Sequence, residues 1–427
     1  MKITQDNIFF ILFTFLPISI IIGPAVSLIN ILFIGVTYLF FFFKHNHLRY
    51  LSKNIIIKIL LILYLYLILN TLISLSFETS VLRNFGFIRF ILLFLAINYL
   101  FYIDTKNTRT FYFWTIVFLV FIFDVYFERI TGTNIFGWGA ENPDGIPQAG
   151  SAIGFSGDRI VSFFKNEPIA GAFINGFIFL VIGYLLMASK NKKFYYVITI
   201  IFFILSLVAV LITGERASSI KVFIGFFIFL FFLDFLKFRT KLFFLLFLPC
   251  LILVIISSSD YLKLRYKGQF YDFLSSKESR DKTFEKNIYI NLYKSGFEVF
   301  KNHPLLGVGT KNYRIETCKK NEKNPKYVCI THPHQIYFEL LAEHGILGFI
   351  LILSILFFLI FRILNQIIIS RNYVQIGSFI YLLINFIPLL PSGSFFSDFN
   401  ITLFMLNFSI MYAVNKKTNI FYSKKLI

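Results

Sequence analysis

Residues 345–362 read GILGFILILSILFFLIFR, with no charged side chain before Arg362. A run of about 18 apolar residues is long enough, as a helix, to cross a hydrocarbon core roughly 30 Å thick. Comparable runs recur along the chain, at about 8–22, 25–43, 55–77, 87–103, 111–127, 169–188, 195–212, 220–237, 242–257, 375–391 and 401–414. In lipid each backbone N–H and C=O must be bonded inside the protein, which leaves helices or a closed barrel. Barrel strands are short and alternate in polarity, whereas these runs are continuous. The composition agrees, with 57% hydrophobic residues, 15% charged residues and a mean hydropathy of +0.75. Soluble domains carry about a quarter charged residues. The expectation is an all-α integral membrane protein of about twelve transmembrane helices, with a large external loop containing short amphipathic helices.

The formal net charge of +19 does not point to nucleic acid. Lys and Arg fall mainly in short links between apolar runs, as Lys44, Arg49 and Lys53 do, and again Lys190, Lys192 and Lys193. With twelve crossings these basic links share one side, the cytoplasmic one, together with both termini. No small-residue cleavage pattern follows the first run, so no cleavable signal peptide is expected. Gly23-Pro24 reads as a tight hairpin between the first two runs.

Three regions follow. Residues 1–257 form an N-terminal bundle of about nine spans, interrupted by an external loop at 128–168. Residues 258–344 form the large external loop, and 345–427 supply about three more spans. Shorter external links lie at 213–219 and 392–400. Within the large loop, Phe284–Lys301 has helical periodicity in Ile288, Leu292, Tyr293, Phe297 and Phe300. Cys318 and Cys329 are either a disulfide closing a short loop or two separate thiols. Cys250 reads as a small packing residue in a span.

The polar residues with chemical potential are all external. Residues 331–348 read THPHQIYFELLAEHGILG. Thr331 is a fair N-cap and Pro333 is tolerated in a first turn. His334 would then sit at a helix N-terminus, which favours anions and a neutral imidazole. A surface histidine at the bilayer interface is the plainer alternative, more so for His332 and His344. Arg216, in Gly214-Glu215-Arg216-Ala217, can clasp phosphate through its planar fork, or snorkel at the interface with Glu215 as its partner. Arg159 lies in GDRIVSFF, and Arg314 follows Gly307-Val308-Gly309, where two glycines can shape an anion nest or an ordinary turn. Arg280 and Lys282 are further external basic groups. No P-loop or metal-ligand spacing is visible, so neither a metal nor another cofactor is expected.

Taken together these segments resemble the O-antigen ligase and O-antigen polymerase superfamily of bacterial membrane glycosyltransferases. His334, Gln335, Gly345 and Gly348 fit the ligase pattern of His, Asn/Ser/Gln, nine residues, Gly, two residues and Gly/Thr/Tyr. Asn302-His303-Pro304-Leu305-Leu306-Gly307-Val308-Gly309 is similar to the family's Pro-x-x-Gly-x-Gly segment. The link around Arg216, the loop from Arg159 to Pro168 and the turn Pro391-Ser392-Gly393-Ser394 are similar to its external elements. The resemblance implies a periplasmic site on the inner membrane and a donor glycan on undecaprenyl diphosphate. The acceptor would be a hydroxyl of lipid A-core for a ligase, or of another lipid-linked glycan for a polymerase. It implies His334 as general base and Arg216 on the diphosphate. Arg159, Arg314, Arg280 and Gln335 are the further candidate substrate contacts.

The chain departs from the ligase pattern where an Arg is expected ahead of the Pro-x-x-Gly-x-Gly segment. It reads Asn287-Ile288-Tyr289-Ile290 there, so Arg280 or Arg314 would have to substitute. Gly171 is one residue too far from Arg159 for the polymerase spacing. Ligase and polymerase both stay open, as does a protein acceptor. The rival class is a transporter or flippase for a lipid-linked oligosaccharide or another anion. Such proteins place charges within spans and near the midplane, whereas here Asp124 and Asp234 lie within or near span ends and the central thirds are almost uncharged. A scaffold without chemistry is the third reading.

Overall fold

The computed structural model describes residues 5–103, 108–139, 159–165, 167–189, 193–263, 266, 287–319 and 324–422. Among these residues the regular structure is helical, apart from one isolated bridge between Thr133 and Gly139. The first half comprises α1 (Gln5–Thr14), α2 (Leu16–Ile22), α3 (Pro24–Lys44), α4 (Leu48–Leu51), α5 (Ile55–Leu72), α6 (Phe77–Gly86), α7 (Ile88–Ile103) and α8 (Thr108–Thr131). There follow α9 (Ala170–Ala188), α10 (Lys193–Ile212), α11 (Arg216–Phe231), α12 (Phe238–Ser258) and α13 (Asp260–Leu262). The last part holds α14 (Ile288–Asn302), α15 (Tyr313–Thr317), α16 (Ile336–Phe361), α17 (Leu364–Ser370), α18 (Tyr373–Ile384) and α19 (Asp398–Ala413).

Among the described residues, seven stretches are long and apolar enough to cross a bilayer: Pro24–Lys44, Ile55–Leu72, Phe77–Ile103, Thr108–Thr131, Ala170–Ala188, Phe238–Ser258 and Ile336–Ser370. Tyr196–Ile212 and Tyr373–Ile384 are apolar but shorter. The outward faces are as apolar as the interior. Val36 and Phe43 on α3 and Leu246 and Val254 on α12 are all more than 60% exposed. A soluble monomer does not carry apolar patches of that extent. The described residues are those of a helical membrane protein.

The expected runs are helical, with differences that have local causes. The first breaks at Phe15, just before Pro17 enters α2, because proline cannot continue the hydrogen-bond ladder. The run expected to reach 391 stops at Ile384. Pro388 and Pro391 follow, and a residue preceding proline is pushed out of the α region. The amphipathic helix is present as α14, but its inward face is Leu292, Ser295, Gly296 and Val299, with Ile288 and Phe297 exposed. Ser295 turns it, through its hydroxyl 2.6 Å from that of Tyr313, and Gly296 seats it against Pro333 and Phe338. Residues 284–286 and Arg280 lie outside the described residues. Cys318 and Cys329 form a disulfide. Cys250 is exposed on α12 rather than packed inside.

The centre of the bundle is the crossing of α9 with α18. A Cβ at Gly377 would collide with the carbonyl of Phe179, and one at Gly183 with that of Tyr373. Small residues let membrane helices approach this closely, where dispersion and backbone contact replace the hydrophobic drive. At one end of the bundle, Tyr38, His47, Tyr99 and Phe421 form an aromatic cluster, and Asn419 donates to the Asn98 carbonyl at 2.9 Å. The other end opens into the cavity described below. Gly377→Val should force α9 and α18 apart and cost about 1–3 kcal/mol, read as a fall in the Tm of the detergent-purified protein. An unchanged Tm would show that the crossing is not under this constraint.

Candidate active site

Helix α16 is broken inside itself. Gly345 has φ 62° and ψ −171°, a backbone open to glycine and costly for any residue with a Cβ. The break would strand backbone groups, and the segment 304–309 satisfies them. Ile346 N donates to the Pro304 carbonyl at 2.8 Å and Leu347 N to that of Leu305 at 3.2 Å. In return, Val308 N donates to Ala342 O at 3.0 Å and Gly309 N to Glu343 O at 2.8 Å. Gly307 and Gly309 lie so close to their neighbours that a Cβ on the first would strike the backbone of Glu343, and on the second Ser74. Gly348 is the seat of Tyr66, whose hydroxyl is 3.2 Å from His344 Nδ1. The glycines at 307 and 309 therefore build a wedge and not an anion nest, because their N–H groups are already used.

The same segment delivers a cation. Asn70 Oδ1 accepts from Thr310 N and Oγ1, both at 2.9 Å. Lys311 follows in a left-handed conformation, φ 64°, and its Nζ donates to Ser394 Oγ at 2.5 Å. Ser394 donates in turn to the buried Glu339 carboxylate at 2.6 Å, whose other oxygen accepts from Phe395 N at 3.0 Å. Arg314 is exposed on α15 and does not line the cavity.

His334 is not the first-turn residue expected. Its φ is 55°, and the N-cap is Gln335, whose Oε1 accepts from Tyr337 N at 2.7 Å and Phe338 N at 3.1 Å. Thr331 is thus not the cap, and Gln335 is buried as a capping group outside the cavity lining. The left-handed turn aims His334 away from the helix, and Ser392 N donates to its carbonyl at 2.8 Å. His332 packs against it with ring centroids 4.0 Å apart, and the Tyr289 ring lies 6.2 Å off at 76°. Burial pushes the His334 pKa down to about 4, helped by His332 and Arg159 and opposed by Glu339. The imidazole is neutral at neutral pH for these reasons rather than because of a helix N-terminus.

The strap that follows Arg159 is held at Val161 and Ser162 by an acidic clamp on α8. Glu128 accepts from Val161 N at 3.0 Å and Ser162 N at 2.6 Å, and Asp124 accepts from Ser162 Oγ at 2.5 Å and Ile135 N at 3.0 Å. Ile160 N reaches the Thr213 carbonyl at 3.3 Å, tying this strap to the link before α11. There, Glu215 turns to Gly171 N at 2.6 Å and Ser218 Oγ at 3.0 Å, and Arg216 opens α11.

These pieces meet in one cavity of about 840 Å³. Arg159, Arg216 and His334 all line it, and so do Arg83, Lys221 and Lys311, three cations that the sequence motifs do not single out. Arg83 and Arg89 both pair with Asp398, the latter at 2.7 Å. Lys221 sits one turn into α11 and donates to Asn385 Oδ1 at 3.1 Å. A buried cation on an apolar helix is itself a signal for function, and it stands in the sequence. Lys311 and His332 are visible there too, within the segments that carry Arg314 and His334.

No curated protein matches this chain. Residues 201–353, which contain Arg216, Lys311 and His334, match the family model described as O-Antigen ligase.

Proposed function

We propose that the protein transfers a glycan from undecaprenyl diphosphate to a sugar hydroxyl at the outer face of the bacterial inner membrane. The observation that carries the reading is the convergence of two guanidinium groups and a neutral histidine on one cavity. Its volume lies in the usual range for a ligand site, about 300–1,000 Å³. His334 takes the proton of the acceptor hydroxyl as that oxygen attacks the anomeric carbon. The bond from that carbon to the phosphate oxygen breaks, undecaprenyl diphosphate leaves, and the configuration inverts. Arg216, with Arg159, holds the diphosphate and stabilises the charge that grows on it. Lys311 takes the place of Arg314 as the cation that the 307–314 segment contributes.

The lining also supports the twelve-crossing layout. Pro24, Arg83, Arg159, Arg216, His334 and Ser392 come from six different links, and all six face this cavity. Links that share one cavity lie on one side of the membrane, and the layout drawn from the basic loops assigns these six to the external side. Both termini then fall on the cytoplasmic side. Asp124, at the end of its span, is engaged with Ser162 and Ile135 as a strut for the Arg159 strap, which supports transfer over transport.

The deciding experiment supplies the purified protein with a lipid diphosphate-linked repeat, with and without lipid A-core. Chain growth without core means polymerase, single transfer to core means ligase, and no transfer in either case ends the reading. His334→Ala should abolish transfer while leaving membrane insertion intact, and full activity would remove it as the base. A base must be unprotonated, and His334 loses that state only as pH falls through about 4. The acid limb of kcat/KM, which reports the free protein, should therefore lie near 4 instead of near the ordinary 6.5. A limb at about 6–7, the range of an unperturbed imidazole, would place His334 outside the buried environment described. Arg216→Lys should cost roughly tenfold or more in kcat/KM, since an ammonium lacks the planar fork; unaltered kinetics would argue against a diphosphate contact.

A further inference from the structure

The cavity wall is chemically divided. The strap at Arg159 and the start of α11 contribute Arg159, Arg216 and Lys221 together with Glu215, whose carboxylate accepts from Gly171 N and Ser218 Oγ. Helix α14 and its cap contribute Asn287, Tyr289, Ile290 and Tyr293, none of them charged. His334 adjoins both, feeling the charge of Arg159 and lying edge-on to the ring of Tyr289. Tyr293 is fixed in place. Its ring stacks on Phe338 at 5.3 Å and 19°, and its hydroxyl donates to the Leu389 carbonyl at 3.3 Å. The helix is anchored at its start by Asn287, which accepts from Tyr289 N at 3.0 Å, and along its inner face by Ser295 and Gly296.

We propose that Tyr289 and Tyr293 form a platform for the acceptor sugar, so that a neutral pyranose lies on the α14 wall while the diphosphate lies on the basic wall. The inference rests on the transfer reading above and names its acceptor subsite. Aromatic faces carry negative potential and attract the slightly positive C–H edges of a sugar ring, while burying its apolar side. Rigid aromatic rings with a few amides beside them suit a ligand rich in hydroxyls and poor in charge. A polyanion is drawn to the other wall, because guanidinium groups pair with phosphate and phenols do not. A sugar on Tyr289 presents its hydroxyls to His334, the group that must receive the proton. A donor saccharide on that wall would instead leave its diphosphate away from Arg159 and Arg216.

The test uses the full-length protein in nanodiscs, with maltohexaose as neutral pyranose probe and inorganic diphosphate as anion probe. Saturation-transfer NMR should show a signal on the sugar ring C–H protons in the wild type, absent in Tyr289→Ala and kept in Tyr289→Phe. Diphosphate affinity should be unchanged in both variants, which also certifies that they are folded. In the transfer assay, Tyr289→Ala should raise the acceptor KM about tenfold, equivalent to about 1.4 kcal/mol, and leave the donor KM alone. No saturation transfer in the wild type, an undiminished signal in Tyr289→Ala, or a rise in donor KM alone would overturn the platform. The two readings separate cleanly. If maltohexaose binds the wild type but not Tyr289→Ala, and the wild type transfers nothing, the platform stands and the transferase falls. If the wild type transfers glycan with an acceptor KM indifferent to Tyr289, the transferase stands and the platform falls.

Discussion

The break at Gly345 governs the rest of the site. A helix entering hydrocarbon cannot leave main-chain groups unbonded, each costing several kcal/mol. Opening α16 at this residue frees two carbonyls on one side and two N–H groups on the other. The segment 304–309 returns all four bonds. That reciprocity couples two pieces of sequence that are separate in the chain. Proline and glycines in the first are needed for the second to bend, and the bend is useful only because the first is there to seal it. Lys311 and His334, on the two arms of this joint, reach the same cavity as a result.

The cavity's electrostatics follow from how its carboxylates are employed. Of the carboxylates that line it, Glu215 accepts from Gly171 N and Ser218 Oγ and Asp398 pairs with Arg83 and Arg89, while Glu339, Glu128 and Asp124, outside the lining, accept from backbone or serine groups. A carboxylate used in this way fixes a loop without facing the cavity floor as free negative charge. The basic groups are instead left with one end toward the cavity. His334 is half-buried, and protonating it would place another positive charge near Arg159. Its neutrality is owed first to burial, and the neighbouring His332 and Arg159 add to it in the same direction.

The apolar runs were legible because lipid imposes length and continuity on any spanning helix. His334, Arg216 and Arg159 were legible because they stand in short polar links between such runs. What was hidden depends on tertiary partners. The inward face of α14 is set by Ser295 meeting Tyr313 and by Gly296 meeting Pro333, not by the periodicity of its largest apolar residues. Thr331 is a better cap by type than Gln335, but the Ser392 bond to the His334 carbonyl holds residue 334 left-handed and moves the helix start to Ile336. Arg314 and Lys311 are equally basic on paper. Only the wedge against Asn70 decides that Lys311 turns inward and Arg314 outward.

The acidic residues on α8 are where transport and transfer make opposite demands. A carrier needs a charge near mid-membrane that changes partner during its cycle. Asp124 and Glu128, at i and i+4, lie on one face of α8 and both engage Ser162, whose φ is 49°. Such a conformation is costly for a residue with a Cβ and persists where surrounding bonds enforce it. Three hydrogen bonds from Val161 and Ser162 to the two carboxylates do so here. Releasing either acid to move a substrate would relax the strap that presents Arg159 to the cavity. The pair ties the strap that carries Arg159 to α8, and on the proposed transfer reading a guanidinium held still need not reorganise while charge develops on a diphosphate.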